Sequence, residues 1–310
     1  MSSGYRVLIC DSIDNSGIES LKKSGMIVDY QPDINSAQLG LVAKNYDVLV
    51  VRSRTKISKE IIEASAQNVK IIARVGVGLD NIDVKEAEAR KIRVINSPEA
   101  AANSVSELVI GLMLSLARNI PFADTEMKKG NWVKKDLVGI ELRGKYLGIV
   151  GVGSIGRNIG RMGKALRMNL IGHDIFPIDK DFIKEVGLIV TDFNTIIESA
   201  DFITCHVPLT PETRKMVNRE KFSKMKSTAF LINTSRGEVI DEEALYDALS
   251  NRKIAGAALD VFETEPPTNN KLLKLPNVIC TPHIGAQTYE AQELASIVIA
   301  EKIIQTLREI

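Results

Sequence analysis

The sequence contains three histidines, and one stands where chemistry is expected. His283 follows NVICTP (277–282), an apolar run ending in a proline turn. It therefore falls at the carboxyl end of a predicted strand, the edge on which parallel α/β sheets bind their ligands. Three charged residues occupy the same kind of position. Arg236 follows FLINTS (230–235), Asp260 ends AGAALD (255–260), and Glu265 lies in the proline-flanked FETEPP (262–267). Charged groups at the mouths of successive strands converge on one crevice. An imidazole titrates close to neutral pH, so His283 has the side chain suited to carrying a proton there. His173 directly precedes Asp174 and reads as structural. His206 closes a strand ahead of Val207-Pro208, and both lining of a cofactor pocket and plain packing remain open for it.

The partner for such chemistry is indicated by LGIVGVGSIGRNIG (147–160). An apolar strand runs into Gly151, Gly153 and Gly156, and a helix follows. Gly151 suits the tight turn, Gly153 lets the backbone approach a pyrophosphate, and Gly156 lets helix and strand pack closely. Amides near Ser154 and Ile155 would point at the phosphates from the positive end of the helix. The next strand ends at Asp174, about 20 residues on, where a carboxylate is expected to accept from the adenosine ribose and repel a 2′-phosphate. Strand, glycines, helix and acid together predict a dinucleotide site that prefers NAD to NADP.

The elements that must position these residues alternate almost from end to end. Strands are predicted at Tyr5–Cys10, Ile27–Tyr30, Asp47–Val51, Lys70–Arg74 and Arg93–Ile95. After Gly144 they resume at Lys145–Val150, Asn169–His173, Asp201–Val207, Ala229–Thr234, Gly256–Val261 and Val278–Thr281. Val- and Ile-rich runs with helical segments between them imply parallel sheets covered on both faces. The expected fold class is therefore α/β, with two doubly wound parallel-sheet domains. The predicted division assigns 1–98 with 287–310 to one discontinuous domain and 99–286 to the dinucleotide-binding domain. The helix Gln292–Ile310 would return to the first. Asn103–Ile120 is the most apolar long segment, but Asn103, Glu107 and Arg118 interrupt it, so it reads as a buried or interfacial helix.

Bulk composition agrees. The 310 residues are 45% hydrophobic and 25% charged, with 40 basic and 39 acidic side chains and a net charge of +1. No basic block is present, so neither nucleic acid nor an anionic membrane is expected as a partner. Cys10, Cys205 and Cys280 lie apart in apolar runs and read as core residues, with no metal site expected. The start of the sequence runs into a strand pattern without a leader, which predicts a cytoplasmic protein.

GVGSIG with Asp174, NTSRGEVIDEEAL (233–245), AALDVFETEPP (257–267) and TPHIGAQT (281–288) closely resemble the D-isomer-specific 2-hydroxyacid dehydrogenases. The resemblance spans essentially the whole chain, including ARVGVGLDNID (73–83). VRSRTKIS (51–58) and SPEAAANSVSELVIGLML (97–114) are most similar to the members that act on 3-phospho-D-glycerate. The resemblance implies a flavodoxin-like substrate domain and a Rossmann NAD domain. It places the catalytic arginine at Arg236, the glutamate at Glu265 and the histidine at His283. The histidine would exchange a proton with the substrate while hydride moves between substrate and nicotinamide. Glu265 would orient the ring, and Arg236 would grip the substrate carboxylate and carbonyl.

The same resemblance adds His206, Val207, Pro208, Thr234, Ser235, Arg236, Asp260, His283, Gly285 and Ala286 to the cofactor site. It adds Arg52, Ser53, Arg54, Val75 and Gly76 to the substrate site, the two arginines forming a phosphate clamp. The implied reaction is oxidation of 3-phospho-D-glycerate to 3-phosphohydroxypyruvate, the entry to serine synthesis. Reduction of glyoxylate, hydroxypyruvate or another 2-keto acid is an alternative, and an NAD(H)-sensing binding protein a more remote one. A homodimer built on the apolar helix is expected. Because the sequence stops directly after the last core helix, feedback through a serine-binding regulatory domain is not.

Overall fold

The computed structural model describes residues 4–310; Met1–Ser3, part of the stretch read as lacking a leader, lie outside the described residues. The chain forms two compact units, one of residues up to Ala102 together with Ala286–Ile310, the other of Asn103–Gly285.

The first unit is a five-stranded sheet of β1 (Arg6–Ile9), β2 (Ile27–Tyr30), β3 (Val48–Val51), β4 (Ile71–Arg74) and β5 (Arg93–Asn96). All pairs are parallel, in the order β2-β1-β3-β4-β5. This is the flavodoxin-type order, with its switch point between β1 and β3. The two-residue side-chain period explains why the central strands are apolar throughout. Val7, Ile9, Val48, Val50 and Ile71 face one core with Ile299 and Ile303 of the last helix. Leu8, Leu49, Val51 and Ile72 face the other with Leu39, Ile61 and Ile62. That last helix, Tyr289–Arg308, begins three residues before the expected start and is capped by Thr288, whose side chain accepts from the Ala291 N–H.

The second unit is a seven-stranded parallel sheet. Its strands are β6 (Tyr146–Val150), β7 (Asn169–His173), β8 (Ile189–Val190), β9 (Phe202–Cys205), β10 (Phe230–Asn233), β11 (Gly256–Leu259) and β12 (Val278–Cys280). The order β12-β11-β10-β9-β6-β7-β8 is the Rossmann winding with a seventh strand added, and its switch point lies between β6 and β9. The sequence reading missed β8, an edge strand of two exposed residues without the buried apolar run that marks its neighbours. Helix Ala102–Arg118 ends earlier than expected because Asn119 turns left-handed (φ 51°) and starts a separate helix, Ile120–Lys128. The stretch Pro98–Arg118 has the length and hydropathy of a membrane span. Val109, Leu112, Met113 and Leu116 nevertheless pack into the core of this unit with Leu147 and Ile149. Burial pushes the thiols of Cys10 and Cys205 up to about 12 and that of Cys280 up to about 11, so all three stay protonated at neutral pH.

Candidate active site

The glycine loop leaves β6 at the switch point of the second unit. Gly151 has φ +92°, and a Cβ there would come within 2.6 Å of the His206 carbonyl oxygen. A Cβ on Gly156 would overlap the Gly151 carbonyl, so helix Ser154–Ala165 can approach its strand only through glycine. At Gly153 a Cβ would meet nothing within 4 Å, and no side chain caps the helix that begins there. Open space before an uncapped N-terminus is a cradle for a phosphate. Asp174 faces the same loop. Its carboxylate accepts from Val152 N–H (2.7 Å) and Phe176 N–H (2.9 Å), which holds it at the loop with lone pairs to spare for a diol. These residues fit a dinucleotide.

Beside that loop, His206 directly follows β9. Its Nε2 lies 2.8 Å from Thr204 Oγ1, and its Nδ1 is sealed from solvent with no partner. Burial pulls its pKa down to about 3, so this ring is neutral and carries no proton for a reaction near pH 7. His173 Nδ1 lies 3.2 Å from the Thr191 carbonyl oxygen, consistent with a structural role.

The acid–base candidates meet at the ends of β10, β11 and β12. His283 Nδ1 is 2.8 Å from Glu265 Oε2, with the imidazole N–H donating to the carboxylate. The second ring nitrogen, Nε2, is thereby left to exchange a proton. Burial pushes Glu265 up, but the hydrogen bond and charge of His283, the Phe262 N–H (3.2 Å) and the charge of Arg236 outweigh it. The net effect holds Glu265 below the usual carboxylate range. Arg236 follows β10, and Asn233 Nδ2 donates to its carbonyl at 2.9 Å. A Cβ on Gly237 would overlap the Phe262 backbone, so the turn after Arg236 lies directly against the loop carrying Glu265. Arginine, glutamate and histidine thus share one corner of this unit.

Asp260 does something the sequence did not indicate. It is 1% exposed, and its carboxylate accepts from Thr281 Oγ1 (2.6 Å), Ile284 N–H (2.8 Å) and Gly285 N–H (2.9 Å). Those bonds hold the turn in which His283 takes φ +54°, a conformation that costs a non-glycine residue about 1 kcal/mol or more. Asp260 therefore fixes where the histidine points. Thr234 Oγ1 is buried without a partner at the end of β10, and Ser235 is held by Asn233.

In the first unit, the segment after β3 is fastened from both sides. Asp11 accepts from Arg52 N–H (2.5 Å), Thr55 N–H (3.2 Å) and Thr55 Oγ1 (2.6 Å), while Asn81 Nδ2 donates to the Arg52 and Thr55 carbonyls at 2.9 and 2.6 Å. The two arginines then differ. Arg54 pairs with Asp11 (3.1 Å) and donates to the carbonyls of Ile34, Cys10 and Pro32. Arg52 reaches only the neutral side chains of Gln292 and Gln287, each at 3.3 Å. Among the described residues its charge has no comparable carboxylate contact.

Val75 and Gly76, expected in the substrate site, lie directly after β4. Val75 N–H donates to the Val51 carbonyl (2.9 Å) as the sheet ends, and Gly76 N–H donates to Ser97 Oγ (2.9 Å). Both donors are used inside the unit. The next two, the N–H groups of Val77 and Gly78, have no partner among the described residues. At the end of β4 the Arg74 guanidinium lies over Gly76.

Comparison with known proteins agrees with this geometry. Residues 110–285 match the family D-isomer specific 2-hydroxyacid dehydrogenase, NAD binding domain. A D-3-phosphoglycerate dehydrogenase of Methanocaldococcus jannaschii is 47% identical over 304 residues, covering 98% of this chain and 57% of the relative. A hydroxypyruvate reductase of Thermotoga maritima is 45% identical over 306 residues, covering 98% of each. A solved glyoxylate reductase from Paecilomyes thermophila superposes with a TM-score of 0.90 at 28% identity, covering 99% of this chain and 97% of that one. The chain belongs to the D-isomer-specific 2-hydroxyacid dehydrogenase family. It spans little more than half the length of several curated phosphoglycerate dehydrogenases that it matches.

Proposed function

We propose that the protein is an NAD-dependent dehydrogenase that oxidises 3-phospho-D-glycerate to 3-phosphohydroxypyruvate. The observation that carries the reading is the His283–Glu265 pair, 2.8 Å apart in the unit that also bears the glycine loop and Arg236. NAD, when bound, supplies the hydride acceptor. Its diphosphate would lie at Gly153 and the helix start, its ribose at Asp174. Val207, Pro208, Thr234, Ser235, Gly285 and Ala286 are proposed to complete that site.

His283 Nε2 takes the proton of the substrate hydroxyl as the carbonyl forms and returns it in the reverse direction. Glu265 keeps the ring in the tautomer with Nδ1–H and stabilises the imidazolium. Arg236 offers its guanidinium to the substrate carboxylate. On the first unit, Val77 and Gly78 offer backbone donors, and Arg52 and Ser53 offer a phosphate contact. Arg54 serves mainly by holding that segment to Asp11. Localisation in the cytoplasm and a place in serine synthesis accompany this assignment.

A second reading is favoured by the Thermotoga maritima relative, a hydroxypyruvate reductase 45% identical to this chain: reduction of hydroxypyruvate with the same residues. Comparing kcat/KM for 3-phosphohydroxypyruvate, hydroxypyruvate and glyoxylate, each with NADH and NADPH, separates the two. A clear advantage for the phosphorylated substrate supports the first, and its absence supports the second.

We also infer a homodimer. Phe122, Met127, Trp132 and Val138 leave apolar surface exposed on the second unit, Trp132 at 77% and Val138 at 86%. An apolar patch of this kind marks an interaction site, and a two-fold pair of copies is the commonest way to cover one. Sedimentation equilibrium giving the mass of one chain would dismiss it.

A further inference from the structure

We propose that Glu242 is a positioning residue for the acid–base pair, a clasp that closes the loop carrying Glu265. This rests on the reading of His283 and Glu265 given above. Glu242 is the first residue of helix Glu242–Ser250 and lies outside the ends of β10, β11 and β12 where the site residues gather. Its Oε1 accepts from the Glu263 N–H at 2.7 Å, and its Oε2 accepts from Asn270 Nδ2 at 2.7 Å. One half-buried carboxylate therefore holds both ends of the segment 263–270, with Glu265 inside it.

The attachment is reciprocal. The Glu263 carboxylate accepts from the Glu242 N–H at 3.4 Å and pairs with Lys215 at 3.2 Å. Asn270 is itself fixed, its Oδ1 accepting from the Leu272 N–H at 2.9 Å. Within the loop, Glu265 Oε1 takes the Phe262 N–H and Oε2 takes the imidazole. A loop of this length between two strands has many conformations of its own. Two bonds to one carboxylate, at its two ends, select the one in which Glu265 reaches His283. Burial and the neighbouring Glu263 charge push Glu242 up overall, against the lowering by the Glu263 N–H, Asn270 and the charge of Lys215.

The charge at this position matters as well as the shape. A glutamine has one acceptor oxygen and would present its NH2 to a second donor, so it can keep only one of the two bonds. Alanine keeps neither and leaves the Glu263 N–H without its partner. A displacement of about 1 Å in a group that acts on the substrate can cost roughly 100-fold in rate.

The test is a double-mutant cycle in the reductive direction. Glu242→Ala is expected to lower kcat by about 10- to 100-fold, and Glu242→Gln by less, with KM for NADH within about twofold of wild type. In a Glu265→Gln background the same Glu242→Ala change is expected to cost less than about twofold, because the group it positions is gone. Equal losses in both backgrounds would overturn the proposal and make Glu242 a general stability residue. Hydrogen exchange provides a readout independent of turnover. Amides of segment 262–270 should exchange faster in Glu242→Ala, and unchanged exchange also overturns the clasp. Should Glu242→Ala fail to fold, Glu242→Gln and Asn270→Ala carry the same cycle. Failure of the enzyme reading shows separately, as full turnover in His283→Asn while loop exchange still responds to Glu242.

Discussion

Replacing His206 by asparagine should flatten the acid dependence of stability. In the folded protein its ring is held neutral by burial, with a pKa near 3 against 6.5 for a free imidazole. Its Nδ1 has no partner to stabilise a proton. The folded pKa is depressed, so between about pH 6.5 and pH 3 the unfolded chain binds a proton that the folded chain refuses. Stability is therefore intact above the unfolded value and falls as pH drops through this window. Each unit of pKa difference is worth about 1.4 kcal/mol, and integrating from pH 7 to pH 5 gives a loss of about 2 kcal/mol from this one residue. The assay is urea unfolding by circular dichroism at pH 7 and pH 5 for wild type and variant. Subtracting the pH effect in the variant removes the contribution of every other titrating group. A wild-type loss larger than the variant's by about 2 kcal/mol is expected. Identical pH slopes would refute the reasoning and show that the ring is protonated, or solvated, in the folded state.

Other consequences follow from the site. His283→Asn should lower kcat by about 10²–10⁴, the usual contribution of a general acid–base, with NADH binding by fluorescence titration unchanged. Asp174→Ala should reduce the NADH over NADPH preference in kcat/KM, because the carboxylate that would repel a 2′-phosphate is gone; an unchanged ratio counts against its place at the ribose. Arg52→Gln should raise KM for a phosphorylated substrate by about 10-fold or more, the scale of a lost charge-assisted contact. Arg54→Gln should instead lower the melting temperature with a smaller effect on KM. The reverse ranking would mean that Arg54 leaves Asp11 to meet the substrate.

Much of this was legible in the residues themselves. Runs such as Val48–Val51 and Leu147–Val150 read as strands buried on both faces, and the structure places them in the interior of each sheet. Gly151, Gly153 and Gly156 need particular conformations and spaces that follow from spacing alone, and Asp174 lies at a fixed distance down the chain. Arg236 and His283 follow predicted strand ends and Glu265 lies in a proline-flanked loop, so all three could be singled out as candidates. What pattern could not supply was the occupancy of donors and acceptors. Nothing local shows that Gly76 gives its N–H to Ser97, or that Asp11 claims Arg54. Nor does any local signal show that Asp260 turns inward to hold His283 or that Glu242 reaches the loop of Glu265. Periodicity and glycine spacing record how a segment folds against its immediate neighbours, so a single sequence carries them. Hydrogen-bond partners 20 or 40 residues apart are chosen when strands take their order in the sheet, and only the assembled units decide which polar groups stay free to bind a substrate.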